Sequence, residues 1–132
     1  MTIFFRYWVW VLAHMGLIFY LSSQSVMPIE VPPWVYYYDK VVHALIFGFL
    51  SLLFLRAWLR GQWRDISVSA VLLAIVFTFL YGVSDEFHQQ FVPGRQPSVG
   101  DVVADTVGAI VVALVCYALF CRGGEKLHLP EE

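Results

Sequence analysis

The segment SDEFHQQFVPGRQPSVGDVVADT, residues 84–106, concentrates ionisable side chains between two long apolar stretches. It holds four carboxylates, one histidine and one arginine around a Pro-Gly turn. Asp101 and Asp105 are four residues apart, so a helix places them on one face, with Asp105 about 6 Å further along the axis. A carboxylate inside a membrane costs several kcal/mol unless it is paired, hydrated or protonated. The pattern therefore predicts a partly buried polar site with a functional role.

A second polar group, Asp39-Lys40 followed by His43, precedes another apolar stretch. Asp39 and His43 also share a helix face because they are four residues apart. Arg95 follows the Pro-Gly turn, and its guanidinium suits bidentate pairing with a carboxylate or a phosphate. We predict one ligand-binding site drawn from both groups, formed by Asp39, Lys40, His43, Asp85, Glu86, Gln89, Arg95, Ser98, Asp101 and Asp105.

Several of these residues also have a purely structural interpretation. Asp39, close to the start of an apolar run, has the position of a helix N-cap. Ser98 and Asp101 have the spacing of a capping box, with aspartate in the place usually held by glutamate. Glu86 and His88 have the positions of solvated residues at a helix end. The residues hardest to explain in these ways are Asp85, Asp105 and His43.

The rest of the chain has the composition of a membrane protein. Of its 132 residues, 60% are hydrophobic and 14% are charged, whereas a soluble domain carries about 25% charged residues. Apolar segments close to the length that crosses about 30 Å of hydrocarbon cover residues 3–21, 41–59, 66–81 and 99–120, and the third helix is expected to extend to residue 90, which gives helices at 3–21, 41–59, 66–90 and 99–120. Short connections favour antiparallel neighbours. The expected fold is all-α, with four transmembrane helices in an antiparallel up-down bundle over residues 1–122 and a short tail at 123–132.

Individual residues predict further details of this bundle. The connection between residues 22 and 39 contains three prolines, which favours an extended or turning segment over a helix. His14, alone in the middle of the first span, is expected to form an interhelical hydrogen bond. Ala104 and Gly108 form a small-xxx-small pair that would let another helix approach closely.

Basic residues are distributed unequally between the two ends of this bundle. Six of the eight Lys and Arg residues fall at the end that holds both termini, and the positive-inside rule makes that end cytoplasmic. Lys40 and Arg95 fall at the opposite end, together with the polar residues of all four helices. The predicted site therefore faces outward, and both termini are expected to be cytoplasmic.

Four sequence blocks resemble the VanZ-like family of small membrane proteins. They are D-K-x-x-H at 39–43, S-D-E-x-x-Q-x-F-x-P-G-R at 84–95, S-x-x-D-x-x-A-D-T-x-G-A at 98–109, and the Ser22-Ser23-Gln24 end of the first span. The resemblance extends from about residue 7 to 115 with the blocks in the expected order. It implies a four-helix integral protein of a bacterial cytoplasmic membrane. It also implies a link to the cell envelope and to low-level resistance against the glycopeptide teicoplanin.

The favoured function is a binding or accessory role, in which the outward pocket recognises an anionic lipid headgroup or an envelope precursor. Arg95 and Lys40 would contact its phosphate or carboxylate, and the carboxylates and His43 would orient them. The expected partners are membrane lipid, a phosphate- or carboxylate-bearing lipid or peptidoglycan precursor, and a second copy of the chain, with no nucleic acid, since no basic tract is present.

Two other functions remain open at this point. An enzyme acting on a lipid-linked phosphate at the outer leaflet would use His43, Asp85 or Asp105 as catalytic groups, with His43 a general base oriented by Asp39. Such an enzyme could hold Mg²⁺ or Ca²⁺ on its carboxylates, because these ions prefer oxygen ligands. The enzyme is less favoured, because no serine in the sequence has an identifiable histidine and carboxylate that would complete a catalytic triad. A proton or solute transporter would need polar residues through the inner half of the spans, which are apolar apart from terminal arginines.

Overall fold

The computed structural model describes residues 2–25 and 32–121. Its long helices are α1 (Thr2–Ser22), α2 (Pro33–Trp58), α3 (Val68–Gln89) and α4 (Val99–Cys121), and a short 3-10 helix at Trp63–Asp65 precedes α3. There is no β-strand in the described ranges, and each of the four helices is long and apolar enough to cross a membrane. The predicted all-α fold with four membrane-spanning helices is confirmed. The predicted tail at 123–132 lies outside the described residues.

The start of α2 differs from the prediction. The helix begins at Pro33, with Pro32 in an extended conformation at the N-cap, so the expectation of a non-helical connector up to Asp39 was wrong. Proline at the first helical position has a suitable φ and lacks only an N–H that would be unsatisfied there anyway. Asp39 consequently lies in the second turn of α2, and its interpretation as an N-cap was also wrong.

The central contact of the bundle joins α2 and α4, which run parallel to each other. Contacts advance in the same direction along both helices, from Lys40–Asp101 through His43–Asp105 to Ala44–Gly108. At Gly108 the two backbones are so close that a Cβ atom would lie 2.0 Å from the carbonyl oxygen of Ala44. The close approach predicted from the small residues of α4 is therefore present. Helix α2 also packs against α1 and α3, and α3 packs against α4.

The two ends of the bundle differ in character. We call the end where α1 and α3 finish and α2 and α4 begin the polar end, and the opposite end the arginine end. The interior towards the arginine end is filled by an apolar cluster that includes Phe54, Leu55, Leu59, Ile66, Val71 and Cys116. Closer to the middle, His14 Nε2 lies 3.0 Å from the carbonyl oxygen of Ile46, which confirms its predicted interhelical hydrogen bond. Ionisable side chains in the bundle interior are thereby concentrated at the polar end.

Candidate functional site

The most deeply buried ionisable contact joins α2 to α4. His43 Nδ1 lies 3.0 Å from Asp105 Oδ1, and the side chain of Asp105 has no solvent exposure. Oδ2 of Asp105 is buried and has no hydrogen-bond partner among the described residues. It faces Gly82 of α3, where a Cβ atom would lie 3.0 Å away. Asp105 is therefore positioned by a histidine on one side and by a glycine on the other.

One turn nearer the polar end, Lys40 holds a second carboxylate of α4. Its ammonium donates to Asp101 and lies 3.4 Å from Oδ2 of Asp39. The Asp101 side chain is 9% exposed and that of Asp39 is 48% exposed. Because the pair with Asp101 is mostly removed from solvent, it is less screened than a surface salt bridge. Together with His43–Asp105 it fixes the register of α2 against α4.

Asp85 connects α3 to the end of α1. Its Oδ2 accepts hydrogen bonds from Ser22 Oγ at 2.8 Å and from Gln89 Nε2 at 3.0 Å. Ser23 Oγ lies 2.9 Å from Nε2 of His88. These bonds give the Ser-Ser end of α1 a definite role, since they attach a helix that otherwise buries little of its surface.

The start of α4 is capped by a residue from another helix. Glu86 Oε2 accepts a hydrogen bond of 2.6 Å from the backbone N–H of Ser98, and Ser98 Oγ accepts from the N–H of Gly100 at 3.1 Å. Glu86 is buried, so its alternative interpretation as a solvated residue was wrong. In a capping box the residue three positions after the cap returns to the cap N–H. Here Glu86 makes that bond, while Asp101 contacts Lys40.

Arg95 lies where the turn after α3 meets the end of α1. Gly94 has φ 81°, a conformation that side chains disfavour and that glycine adopts freely. The Arg95 guanidinium donates from Nε to the carbonyl of Gln24 at 3.2 Å and from Nη2 to the carbonyl of Leu21 at 3.0 Å. It therefore satisfies carbonyls at the C-terminus of α1, where a cation is electrostatically favourable.

A cavity of about 210 Å³ opens among α1, α2 and α3 at the polar end. Five of the predicted residues line it: Asp39, His43, Asp85, Gln89 and Arg95. The other five, Lys40, Glu86, Ser98, Asp101 and Asp105, do not line this cavity, and they either belong to the first turns of α4 or contact them. Apolar residues complete the wall, among them Ile18, Leu21, Val42, Ile46 and Phe47. The structure thus brings the predicted residues to one end of the bundle but divides them between a cavity wall and its support.

Three of these side chains have an arrangement related to metal sites. One ligand atom each from Asp39, His43 and Asp101 lies within 4.8 Å of the others. However, the ammonium of Lys40 already contacts both Asp39 and Asp101. A divalent cation would have to displace this ammonium or share its ligands against charge repulsion. The residues in this arrangement therefore do not fit a resident Mg²⁺ or Ca²⁺.

Sequence reasoning missed two supports of the site. Gly82 was not recognised, although an isolated glycine in an apolar helix often marks a close approach, and it lies three residues before Asp85 on nearly the same face. Tyr81 was also missed, and its hydroxyl donates to the carbonyl of Met15 at 2.7 Å. A tyrosine in an apolar span offers no sequence signal for its partner on another helix.

These features define a multi-pass α-helical membrane protein whose buried ionisable side chains gather at one end of the bundle. The family model described as VanZ/LLP1 matches residues 4–121, nearly the whole chain, and the protein belongs to this family. The resemblance carried by the four sequence blocks is thereby confirmed. Neither the curated proteins nor the solved structures contain a significant match to the chain.

Proposed function

We propose that this protein binds the anionic headgroup of a lipid, or of a lipid-linked precursor of the cell envelope, in the cavity at the polar end. The observation on which the proposal rests is the set of contacts that the Arg95 guanidinium makes. Its guanidinium lines the cavity and is held by two neutral carbonyls. No carboxylate of the described residues lies within 4.0 Å of it. Its charge is therefore positioned but not neutralised by a direct ion pair.

The carboxylates around the cavity are largely engaged by the protein itself, which reduces their repulsion of an anion. Lys40 contacts Asp101, His43 contacts Asp105, and a backbone N–H contacts Glu86. Asp85 already accepts two hydrogen bonds. Because His43 uses Nδ1 for Asp105, Nε2 is the ring nitrogen available to a molecule in the cavity. Arg95 and His43 would contact phosphate oxygens, and Asp39 would accept from a hydroxyl or an ammonium of the same headgroup.

The size and lining of the cavity favour part of a lipid over a large soluble ligand. Its volume of about 210 Å³ is below the roughly 300–1,000 Å³ of sites for drug-sized ligands. A glycopeptide antibiotic is far too large for it. Any contribution to glycopeptide resistance would therefore act through the lipid or precursor. The apolar residues Leu21, Val42 and Phe47 suit the glycerol region and the first carbons of an acyl chain.

The positive-inside rule supports a location for the cavity at the outer face of a bacterial cytoplasmic membrane, with both termini inside. Lipid-linked precursors of the envelope are exposed at that face, so a headgroup could enter laterally from the outer leaflet. A transport function has less support, because the interior towards the arginine end is filled by apolar residues.

An enzymatic role is the second candidate, and the pair His43–Asp105 favours it. A buried carboxylate at 3.0 Å from Nδ1 would orient the ring and leave Nε2 facing the cavity, as a general base requires. The sequence-based expectation that Asp39 orients His43 was wrong, because Asp105 makes that contact. Release of a fragment from the bound lipid, lost in His43→Gln, would identify this role.

The test compares lipids retained by purified wild type, Arg95→Gln and Arg64→Gln. Glutamine at 95 keeps an amide donor for the carbonyls of α1 but removes the charge, and Arg64 offers the same change at the arginine end. A charge-assisted hydrogen bond contributes about 1.5–3 kcal/mol, so Arg95→Gln is expected to lower the occupancy of the polar-end cavity by acidic lipid at least about tenfold, read as the loss of one retained acidic lipid per protein. Arg64→Gln is expected to leave it unchanged. Equal retention by Arg95→Gln and wild type would refute the proposal.

A further inference from the structure

The arginine end has a cavity of its own, which the function proposed for the polar end does not use. Its volume is about 220 Å³, and its lining residues are Phe4, Tyr7, Trp8, Ala57 and Arg60. It lies between the start of α1 and the end of α2. Loop charge predicts that this end faces the cytoplasm.

Arginines gather around this cavity, and none of them forms an ion pair with a carboxylate of the described residues. Arg6 and Arg56 both place their guanidinium over the ring of Tyr7, at 5.8 and 5.6 Å from its centroid. Arg60 lines the cavity itself. The ion pairs in the described part of the chain involve lysine and histidine instead. Two guanidinium groups near one ring repel each other, and an anion bound near them would reduce this repulsion.

The turn after α2 holds Arg60 in a backbone conformation that glycine adopts more readily. Arg60 has φ 49° and is the non-glycine residue with positive φ among those described. Such a conformation is strained for residues with a side chain, and glycine would adopt it without strain. The turn is fixed by a hydrogen bond of 2.9 Å from the N–H of Gly61 to the carbonyl of Arg56. The Tyr7 hydroxyl packs against Gly61, where a Cβ atom would lie 2.8 Å away.

From this geometry we infer that the cavity at the arginine end is a second binding site, for the phosphate headgroup of an anionic phospholipid in the adjacent leaflet. The positive-inside rule accounts for arginines at this end. It does not account for a cavity beside them or for the aromatic residues that line it. Phe4 and Trp8 stack at 6.0 Å between ring centroids and give the cavity an apolar side, which distinguishes a lipid from free phosphate. Basic pockets between transmembrane helices at the cytoplasmic face commonly bind such headgroups.

The experiment uses site-directed photo-crosslinking of the full chain in nanodiscs that contain equal amounts of phosphatidylglycerol and phosphatidylcholine. p-Azidophenylalanine replaces Phe4, which lines the cavity, or Phe5, a neighbour of similar exposure that does not line it. The expected result is a strong preference for phosphatidylglycerol adducts at position 4 and a near-equal mixture at position 5. The same mixture at both positions would overturn the inference.

Two arginine variants separate a site from general surface charge. Arg60→Gly relieves the backbone strain, so it is expected to be at least as stable as wild type and yet to lose at least about tenfold in lipid preference, as expected for the loss of a charge-assisted hydrogen bond to phosphate. Arg64→Gln removes the same charge outside the cavity and is expected to lose at most the roughly fivefold that one arginine near a membrane surface contributes. Equal losses in Arg60→Gly and Arg64→Gln, or displacement of the lipid by inorganic phosphate, would overturn the assignment.

Discussion

Replacing Gly108 by alanine tests the contact that holds the polar end together. The new Cβ atom would lie 2.0 Å from the carbonyl oxygen of Ala44, and moving it to ordinary contact at 3.4 Å requires a separation of about 1.4 Å. The carbonyl oxygen belongs to a helix backbone and the Cβ atom is fixed rigidly to another, so no flexible side chain can move instead. The bond of 3.0 Å between His43 and Asp105, one turn away, would not survive such a shift. The substitution therefore acts on stability and on the site together.

The other glycines of the bundle provide a graded set of controls. A Cβ atom at Gly16 would meet no neighbouring atom within 4 Å, whereas a Cβ atom at Gly82 would lie 3.0 Å from Asp105 Oδ2. Overpacking costs about 1–3 kcal/mol, while alanine gains about 0.5–1 kcal/mol over glycine in an unobstructed helix. We expect Gly16→Ala to be neutral or stabilising, Gly82→Ala to lose about 1 kcal/mol, and Gly108→Ala to lose about 3 kcal/mol.

The assay is reversible unfolding of each variant in bicelles, read as the free energy of unfolding. Histidine ¹⁵N resonances report in the same samples whether His43 keeps its bond to Asp105. If Gly108→Ala were as stable as Gly16→Ala, with the histidine resonances unchanged, the close contact of α2 with α4 would be refuted.

Two further predictions concern charge and orientation. Lys40→Met removes the ammonium between Asp39 and Asp101, so the affinity for Mg²⁺ or Ca²⁺, measured by calorimetry, is expected to rise by at least about tenfold. An unchanged affinity would show that Lys40 does not keep a cation from Asp39, His43 and Asp101. Single cysteines introduced at Gln96 and Gln62 are expected to react with an impermeant maleimide from outside and from inside the cell, respectively. The reverse labelling pattern would place the polar end in the cytoplasm.

The existence and number of the helices could be predicted from sequence because a membrane span leaves a long apolar signal. Local departures from this pattern, such as the residue at which α2 begins, could not be predicted from the apolar signal. Prolines ahead of Asp39 indicated a connector, yet Pro33 occupies the one helical position that tolerates it without loss. The pairing of α2 with α4 was apparent only in part. His43 and Lys40 were available partners for the carboxylates of α4, and Ala104 and Gly108 indicated a close approach, but sequence order favours consecutive neighbours.

For the site, spacing identified which residues share a helix face but not which helix they meet. Asp39 and His43 do share a face, but the partner of His43 is Asp105, sixty-two residues away. Glu86 and Ser98 form an inter-helix cap that no local motif encodes. These pairings depend on the rotation and depth of each helix, which are set by packing over the whole bundle.

The most direct test of the account is a solid-state NMR measurement of the distance between lipid phosphorus and the guanidinium carbon of Arg95. Protein labelled with [¹³C]guanidino-arginine is reconstituted in acidic phospholipid, and ¹³C–³¹P dephasing is compared between wild type and Arg95→Gln. The account predicts a component of dephasing at hydrogen-bonding range that disappears in Arg95→Gln. Identical dephasing in the two samples would contradict binding of a lipid phosphate at the polar end.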